Sequence, residues 1–229
     1  QPVFTAIGAR LPLTLTMVLV AIVLIGIVAT LLGVTAAVKR GAADRIVQVM
    51  AVLAASIPGF IVGIVLVLLF AIQLRWFPAI SRISANSKPA DWAASLTLPV
   101  IALVLNGIAS AAQQIRSAFI KQLELDYVRT LRSRGIAERE ILFRHVLRAA
   151  APAGLTVLSL QFIGLLGGVV IIESIFALPG MGRLAVDATT QSDLPLVMGV
   201  VIYSVAIVVV VNLLVDIANG WLNPKVRVS

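Results

Sequence analysis

The chain has 229 residues, of which 60% are hydrophobic and only 12% are charged, and its mean hydropathy is +1.08. A soluble domain carries about 25% charged residues, so this composition excludes an ordinary water-soluble fold. The chain contains no cysteine, which excludes disulfide bonds, thiolate metal ligands and cysteine nucleophiles.

Long uncharged stretches alternate with short charged clusters, which is the pattern of helices that cross a membrane repeatedly. Each of five uncharged runs is long enough for a bilayer core, which takes roughly 20 helical residues. Pro58 is expected to kink the second span, and the segments Gly59–Gly63 and Gly164–Gly168 predict close packing of helices. We predict an all-α polytopic transmembrane bundle in a single domain over residues 1–229, with spans at about 11–38, 46–74, 92–115, 149–172 and 194–215.

A net charge of +8 is compatible with nucleic-acid binding in a soluble protein, but here the basic residues fall in the loops between apolar runs. If the loop between the third and fourth spans is cytoplasmic, 13 of the 18 Lys and Arg residues lie on the cytoplasmic side. The positive-inside rule then places residue 1 outside and the C-terminal Ser229 in the cytoplasm. We therefore interpret the basic residues as topological anchors and expect no nucleic-acid partner.

One face of the third span carries polar side chains. The residues of this polar stripe are spaced as i, i+4, i+7, i+8 and i+11, namely Asn106, Ser110, Gln113, Gln114 and Ser117. Residues at this spacing share one side of a helix, and polar groups in a span are not expected to face lipid. Two interpretations stay open, which are hydrogen bonding to neighbouring helices and lining of a solute path.

Residues 116–148 differ from the rest of the chain because they contain eight basic and four acidic residues among apolar ones. The apolar residues predict short amphipathic helices that are interrupted at Gly135. Glu138 and Glu140 would lie in the first turn of the second helix, where their negative charges interact favourably with the positive end of the helix dipole. Taken alone, the pattern also suits an interfacial helix resting on membrane lipid. His145 has no neighbouring cysteine or carboxylate pair, so we expect no metal site.

Two stretches of this loop resemble the cytoplasmic loop of the dipeptide and oligopeptide branch of bacterial binding-protein-dependent ABC importer permeases. Residues 126–135 read Asp-Tyr-Val-Arg-Thr-Leu-Arg-Ser-Arg-Gly, and residues 144–148 read Arg-His-Val-Leu-Arg. The resemblance covers most of the chain, including residues 11–38, 173–183, 193–195, 212–216 and 223–227. The chain departs from the wider superfamily, which has Glu-Ala-Ala where this sequence has Arg129, Thr130 and Leu131. It departs from the branch at Asn223 and Lys225, where Asp and Arg are usual.

The resemblance implies the type I importer permease fold in the bacterial cytoplasmic membrane, usually with six spans. Five spans leave residue 1 outside, which is consistent with a first span preceding this chain. The resemblance also implies that a short helix of the loop docks into a separate ATPase subunit, with an ATPase-coupling surface formed by Asp126, Tyr127, Arg129, Gly135, Ile136, Glu138 and Arg144. The implied partners are a second permease subunit, two ATP-binding cassette ATPases that bind ATP and Mg, an extracytoplasmic solute-binding protein and membrane lipid. No cofactor is expected in this chain.

Glu173 lies at the outer end of the fourth span, shortly before a Pro179-Gly180 turn. One interpretation is an interfacial anchor that pairs with Arg183. The resemblance implies a second interpretation, in which Glu173, Pro179, Gly180 and Arg183 belong to a periplasmic gate or contact the solute receptor.

The alternative function is a secondary transporter or channel that is not coupled to ATP. A proton-coupled transporter normally needs an ionisable residue deep in the membrane, and none of the five runs contains one. The phosphate-binding pattern Gly-x-x-x-x-Gly-Lys is also absent from the sequence, so we expect that the chain is not an enzyme and that partners hydrolyse the ATP. Peptides are the favoured solutes, and glutathione, nickel chelates and sugars stay open.

Overall fold

A computed structural model of the chain describes residues 3–81, 83 and 87–222, apart from the side chains of Ala43 and Ala55. Arg82 and residues 223–229 lie outside the described residues. The predicted cytoplasmic tail and the last stretch of resemblance fall in that terminal segment.

Every regular element within the described residues is a helix, which confirms the predicted all-α class. In chain order the elements are α1 (Val3–Lys39), α2 (Ala42–Ser56), α3 (Gly59–Leu66), the π-helix π1 (Val67–Gln73), α4 (Pro89–Leu123), α5 (Asp126–Ser133), α6 (Glu138–Glu140), the π-helix π2 (Ile141–Val146), α7 (Leu147–Ile175), α8 (Met181–Thr190) and α9 (Leu194–Leu222).

Four helices are long and apolar enough to cross a membrane: α1, α4, α9 and the continuous helix Glu138–Ile175, which α6, π2 and α7 form together. α1 begins at Val3 and α4 ends at Leu123, so both extend past the uncharged runs that predicted them. The extensions contain charged residues such as Arg10 and Lys121, which indicates that both helices continue beyond the hydrocarbon region of the membrane.

The second predicted span is interrupted at Pro58. α2 ends at Ser56 and α3 begins at Gly59, so the helix is broken at Ile57 and Pro58. Pro58 has no N–H group to continue the hydrogen bonding of α2, and it disfavours helical backbone at the preceding residue. The kink expected at Pro58 is therefore present as a sharp break. The described helices provide four spans, or five if this broken pair forms one span.

The first of two compact units comprises residues 1–24, 56–106 and 162–208. The short helix α8 packs in this unit against the first part of α1 and the first part of α9, through a buried cluster of Ile7, Met181, Leu184 and Val200. A Cβ added at Gly63 would lie 3.2 Å from Ile172 Cδ1, so α3 approaches α7 closely. This contact confirms the close packing predicted for the Gly59–Gly63 segment.

The second unit comprises residues 25–55, 107–161 and 209–229. Its buried cluster joins the end of α1, the end of α4, α5, π2 and the start of α7, through Ala37, Phe119, Val128, Ile141, Val146 and Ala150. α1 and α4 approach closely at Gly33, where an added Cβ would lie 2.7 Å from the backbone oxygen of Ala112. The loop of residues 116–148, which carries the longest charged segment of the sequence, is thus anchored to the helices by an apolar core.

Candidate functional site

The segment of residues 126–148 folds as a short helix, a glycine turn and a second helix that runs into α7. Gly135 has a φ of +76°, in the left-handed region that glycine adopts without steric cost. Its N–H donates to the Arg132 carbonyl at 3.0 Å, and the Ile136 N–H donates to the Leu131 carbonyl at 3.3 Å. These bonds satisfy carbonyl groups that would otherwise be orphaned at the end of α5. The helix interruption predicted at Gly135 is confirmed.

α5 is amphipathic, as the sequence predicted. Val128 is fully buried in the core of the second unit, where the partly buried Tyr127, Leu131 and Ile136 pack beside it. The side chains of Asp126 and Arg129 are 95% and 78% exposed and lie 3.7 Å apart. The helix therefore has one side fixed to the protein and one side open to a partner.

A bidentate ion pair bridges the Gly135 turn. Arg132 donates from Nη2 and Nε to the two carboxylate oxygens of Glu138, at 2.6 and 3.0 Å. Hydrogen bonding to Glu138 raises the pKa of the Arg132 guanidinium above its usual value. Because the two side chains belong to α5 and α6, the pair holds the two short helices in a defined relation.

The seven residues of the expected coupling surface do not all lie on the open side. Asp126, Arg129, Gly135 and Glu138 are exposed, whereas Tyr127 and Ile136 contribute to the core. Arg144 is exposed on π2 and pairs with Glu140, at 3.0 Å. Burial raises the pKa of the Tyr127 phenol, and its hydroxyl has no hydrogen-bond partner within the described part of the chain.

An ion pair that the sequence analysis missed connects α2 with α4. Arg116 donates through Nε and Nη2 to both carboxylate oxygens of Asp44, and both side chains are only 18% exposed. Gln48 Nε2 also donates to Asp44 Oδ1, at 3.1 Å. The sequence predicts for Arg116 only the role of a topological anchor. The available signal was that Asp44 is the single acidic residue of the basic cluster at residues 39–45.

The polar stripe of α4 makes little contact with other helices of this chain. Asn106 donates to the carbonyl of Ile57 at 3.2 Å, beside the break between α2 and α3. Gln114 instead bonds to Ser110, and Ser117 bonds to the carbonyl of Gln113, all within α4. The other four stripe residues, Ser110, Gln113, Gln114 and Ser117, are exposed. Within the described residues, Asn106 is therefore the one stripe residue with a hydrogen bond to a segment outside α4.

Glu173 is the centre of a buried polar cluster in the first unit. Its side chain is fully buried and accepts hydrogen bonds from the Thr14 hydroxyl and from the Arg183 N–H, the latter at 3.0 Å. Thr14 Oγ1 in turn accepts from the Met181 N–H at 2.9 Å. The contact expected with Arg183 is present, but the backbone makes it. A buried carboxylate does not have the position of an interfacial anchor.

The glycines around this cluster have no room for a side chain. A Cβ added at Gly180 would overlap the carboxylate of Glu173, and one added at Gly182 would lie 2.6 Å from Val170 Cα. Pro179 is exposed beside them. By contrast, Gly164 and Gly167 have nothing within 4 Å of an added Cβ. A Cβ added at Gly168 would lie 4.0 Å from Leu103 Cδ2, which is an ordinary contact, so within the described residues none of these three glycines makes the predicted close approach.

Comparison with known proteins identifies the family. Residues 29–228 match the family described as the binding-protein-dependent transport system inner membrane component. The chain belongs to this family. This inner membrane component is 40% identical, over 99% of its length and 73% of the relative, to a peptide transport system permease protein of Brucella abortus (strain 2308). It is 35% identical, over 94% of its length and 68% of the relative, to the dipeptide transport system permease protein DppB of Bacillus subtilis (strain 168).

Solved structures support the same fold. This inner membrane component is similar to a chain of the MetNI methionine ABC transporter in an inward-facing conformation, with a TM-score of 0.77, 16% identity and coverage of 97% of this chain and 99% of that chain. An amino acid ABC transporter solved with histidines gives a TM-score of 0.61 at 17% identity, over 91% and 93% of the two chains. At these identities the likeness shows the fold of an ABC importer membrane subunit.

Proposed function

We propose that this inner membrane component forms part of the translocation pathway of an ATP-binding cassette importer for dipeptides and oligopeptides. The relatives in Brucella abortus and Bacillus subtilis, at 35–40% identity over nearly the whole chain, are named as peptide or dipeptide permeases. Their names favour peptides over glutathione, nickel chelates and sugars as the solute. The proposed partners are a second permease subunit, two ATPase subunits that bind ATP and Mg, and an extracytoplasmic solute-binding protein.

The observation that carries this proposal is the two-sided construction of residues 126–140, which we call the coupling segment. Its apolar side is buried in the core that joins α1, α4, π2 and α7, and its charged side is exposed. α6 continues without a break through π2 into α7. A force applied to the exposed side is therefore transmitted to the spans, because a packed core moves as a body and does not deform continuously.

In this arrangement the coupling segment and the C-terminus lie in the bacterial cytoplasm, and α8 lies at the outer surface. Asp126, Arg129, Gly135 and Glu138 would contact the ATPase, while Tyr127 and Ile136 hold the segment to the spans. ATP hydrolysis is supplied by the partner subunits, since the sequence lacks a Gly-x-x-x-x-Gly-Lys loop. The loop that contains Pro179 and Gly180 would close the pathway or meet the binding protein.

Gly135 provides the test. We expect Gly135→Arg to leave membrane insertion intact and to abolish ATP-driven uptake of a labelled dipeptide by the assembled transporter. An added Cβ at Gly135 meets nothing within 4 Å, so the chain itself has room for the side chain. The left-handed backbone costs any replacement about 1–2 kcal/mol, and Gly135→Ala carries that same cost without the bulk. Gly135→Ala should therefore keep most of the uptake.

Gly41 offers a matched control, because it also has a positive φ, of +68°, and open space around an added Cβ. Gly41→Arg should retain uptake and ATPase subunits on purification, whereas Gly135→Arg should lose both. Normal uptake by Gly135→Arg would overturn the assignment of the coupling segment. Equal losses in Gly135→Arg and Gly135→Ala would show that backbone strain, and not a docking surface, explains the effect.

A further inference from the structure

An apolar groove of about 300 Å³ lies in the second unit beside the end of α1. Its walls come from α1, α4, π2 and the start of α7, and the lining residues are Thr30, Leu31, Val34, Thr35, Val38, Lys39, Phe119, Leu142, Phe143 and Leu147. We call this feature the acyl groove. Leu31 and Phe143 are 62% and 60% exposed, so large apolar side chains are presented on its open side.

Between its two ends, Thr30 and Lys39, the groove is lined by apolar side chains and by Thr35, whose hydroxyl is already hydrogen-bonded. The Thr35 hydroxyl donates to the carbonyls of Leu31 and Leu32 in its own helix, at 2.7 and 3.0 Å. Phe119, which is 1% exposed, forms the floor of the groove. An occupant must therefore be apolar along this stretch, because a polar group without a partner loses several kcal/mol in such a site.

The π-helix shapes one wall of the groove. In π2 the Leu147 N–H donates to the Leu142 carbonyl, five residues earlier. Hydrogen bonds of this spacing bring residues five apart to the same face, so Leu142 and Leu147 both line the groove. The same spacing places Ile141 and Val146 together in the buried cluster beneath.

A cation lies at one end of the groove. Lys39 is in the last turn of α1, is exposed, and forms none of the ion pairs found within residues 3–81, 83 and 87–222. The neighbouring Arg40 instead lies 3.9 Å from Glu124. Lys39 is therefore available to an anionic group outside the chain.

The length of the groove matches one leaflet of a bilayer. From Thr30 to Lys39 the helix rises about 14 Å, at about 1.5 Å per residue, and half of a hydrocarbon core of about 30 Å is about 15 Å. We propose that the acyl groove binds one acyl chain of an anionic phospholipid, whose headgroup phosphate pairs with Lys39. Apolar length and charge at one end are the features that a phospholipid would match, and basic pockets between spans bind such headgroups. This inference does not rest on the proposed peptide transport.

Native mass spectrometry of the full transporter provides the first test, with phosphatidylglycerol and phosphatidylethanolamine supplied in equal amounts. One basic residue near an anionic headgroup contributes about 1 kcal/mol, which corresponds to about a fivefold preference. Lys39→Ala should therefore lower the retention of phosphatidylglycerol relative to phosphatidylethanolamine by about fivefold. Lys121→Ala, which removes an exposed lysine from the end of α4, should leave the preference unchanged. Equal effects of the two variants, or none for Lys39→Ala, would overturn the proposal.

A second variant tests the apolar part. Leu31→Trp should fill the groove and reduce the retention of both lipids, whereas Ile27→Trp, on an exposed α1 position that does not line the groove, should behave as wild type. A photoreactive benzoylphenylalanine in place of Phe143 should then cross-link to phospholipid in membranes. Cross-linking to a protein subunit instead would show that a partner chain covers the groove, and the proposal would be wrong.

Discussion

The carboxylate side chain of Glu173 is fully buried. Its oxygens accept from the hydroxyl of Thr14 on α1 and from the N–H of Arg183 on α8. A buried donor left without a partner costs about 1–3 kcal/mol, so this single residue of α7 holds donors from two other helices, α1 and α8. We interpret Glu173 as the residue that positions α8 against α1 and α7.

We expect Glu173→Ala to lower the melting temperature of the purified protein by several degrees, because the Arg183 N–H cannot turn away to find another acceptor. Glu173→Gln should have a smaller effect, since its amide oxygen still accepts one of the bonds. The adjacent Ser174 is exposed and bonds to the carbonyl of Val170 in its own helix, so Ser174→Ala should leave the melting temperature unchanged. Equal melting temperatures for Glu173→Ala and Ser174→Ala would contradict this role.

The sequence predicted single residues well where their roles are local. The turn at Gly135 follows from a glycine between two amphipathic stretches, because its cause lies within a few residues. The burial of Glu173 could not be predicted in this way, because Thr14 is 159 positions away along the chain. The ion pair between Arg116 and Asp44 could not be predicted for the same reason, since the two residues are 72 positions apart.

At the scale of elements, the coupling segment depends on two short helices that keep a fixed relation across a glycine turn. α6 is the first turn of the long helix Glu138–Ile175, whereas α5 has eight residues and is not long enough to be stable alone, since isolated helices shorter than about 12 residues are marginal in water. The buried side chains of α5 and the pair between Arg132 and Glu138 supply the missing support. The two side chains are 46% and 52% exposed, so the pair contributes at most about 1 kcal/mol to stability, and its value is geometric.

Exchanging these two charges tests that geometry. Arg132→Glu and Glu138→Arg should each reduce uptake severalfold, because like charges would then face each other across the turn, while the melting temperature changes little. The double variant Arg132→Glu with Glu138→Arg restores an opposite pair and should recover much of the uptake. Arg139→Glu makes the same change in charge nearby and should not be rescued by Glu138→Arg. A double variant no better than either single variant would argue against a structural role for the pair.

The sequence predicted that the elements are helices better than it predicted their detailed geometry. Periodicity and the absence of charge identified the helices, and the proline marked the position of the break at residue 58. The complete break at Ile57 and Pro58 could not be predicted, because a proline can also leave a kinked but continuous helix. Pro12, Pro99 and Pro152 lie inside helices here. The π-helices were also missed, since a helical spacing of 3.6 residues is assumed in interpreting the sequence and only tertiary contacts select the wider turn.

For the molecule as a whole, the uneven burial of the helices indicates which surfaces are completed by other molecules. In the most apolar stretch of α9 only 6% of the residues are buried inside this chain, against 50% in α4. Lipid suits the apolar surface of α9, but it does not suit the exposed part of the polar stripe on α4. We therefore expect Ser110, Gln113 and Gln114 to face water or a second permease subunit.

Cysteine labelling tests this expectation, and the absence of cysteine from residues 1–229 makes each introduced thiol the only one in this part of the transporter. Gln113→Cys should react with a water-soluble thiol reagent in the assembled transporter, in at least one of the ATP-bound and nucleotide-free states. Ala111→Cys, which is fully buried, and Leu105→Cys, which is exposed on an apolar part of the same helix, should stay unreactive. If Gln113→Cys is unreactive in both states, the stripe does not line an aqueous path.

Composition and charge were sufficient to predict a membrane bundle, because a bundle depends on bulk properties of the chain, whereas the motif of its longest charged loop was found through a residue-by-residue resemblance to a known family. They did not predict how the chain divides into two compact units, since each long helix contributes to both. A division of this kind is set by contacts between distant segments, which no local pattern records.

The fit between Glu173 and the glycines of α8 also limits the order in which this region can change during evolution. A side chain at position 180 needs the space that the carboxylate of Glu173 occupies. A lineage can therefore acquire one only after position 173 has become smaller, and that first step leaves buried donors unpaired. A substitution at position 173 or at position 180 alone therefore lowers the stability of the fold, so the two positions are constrained to change together.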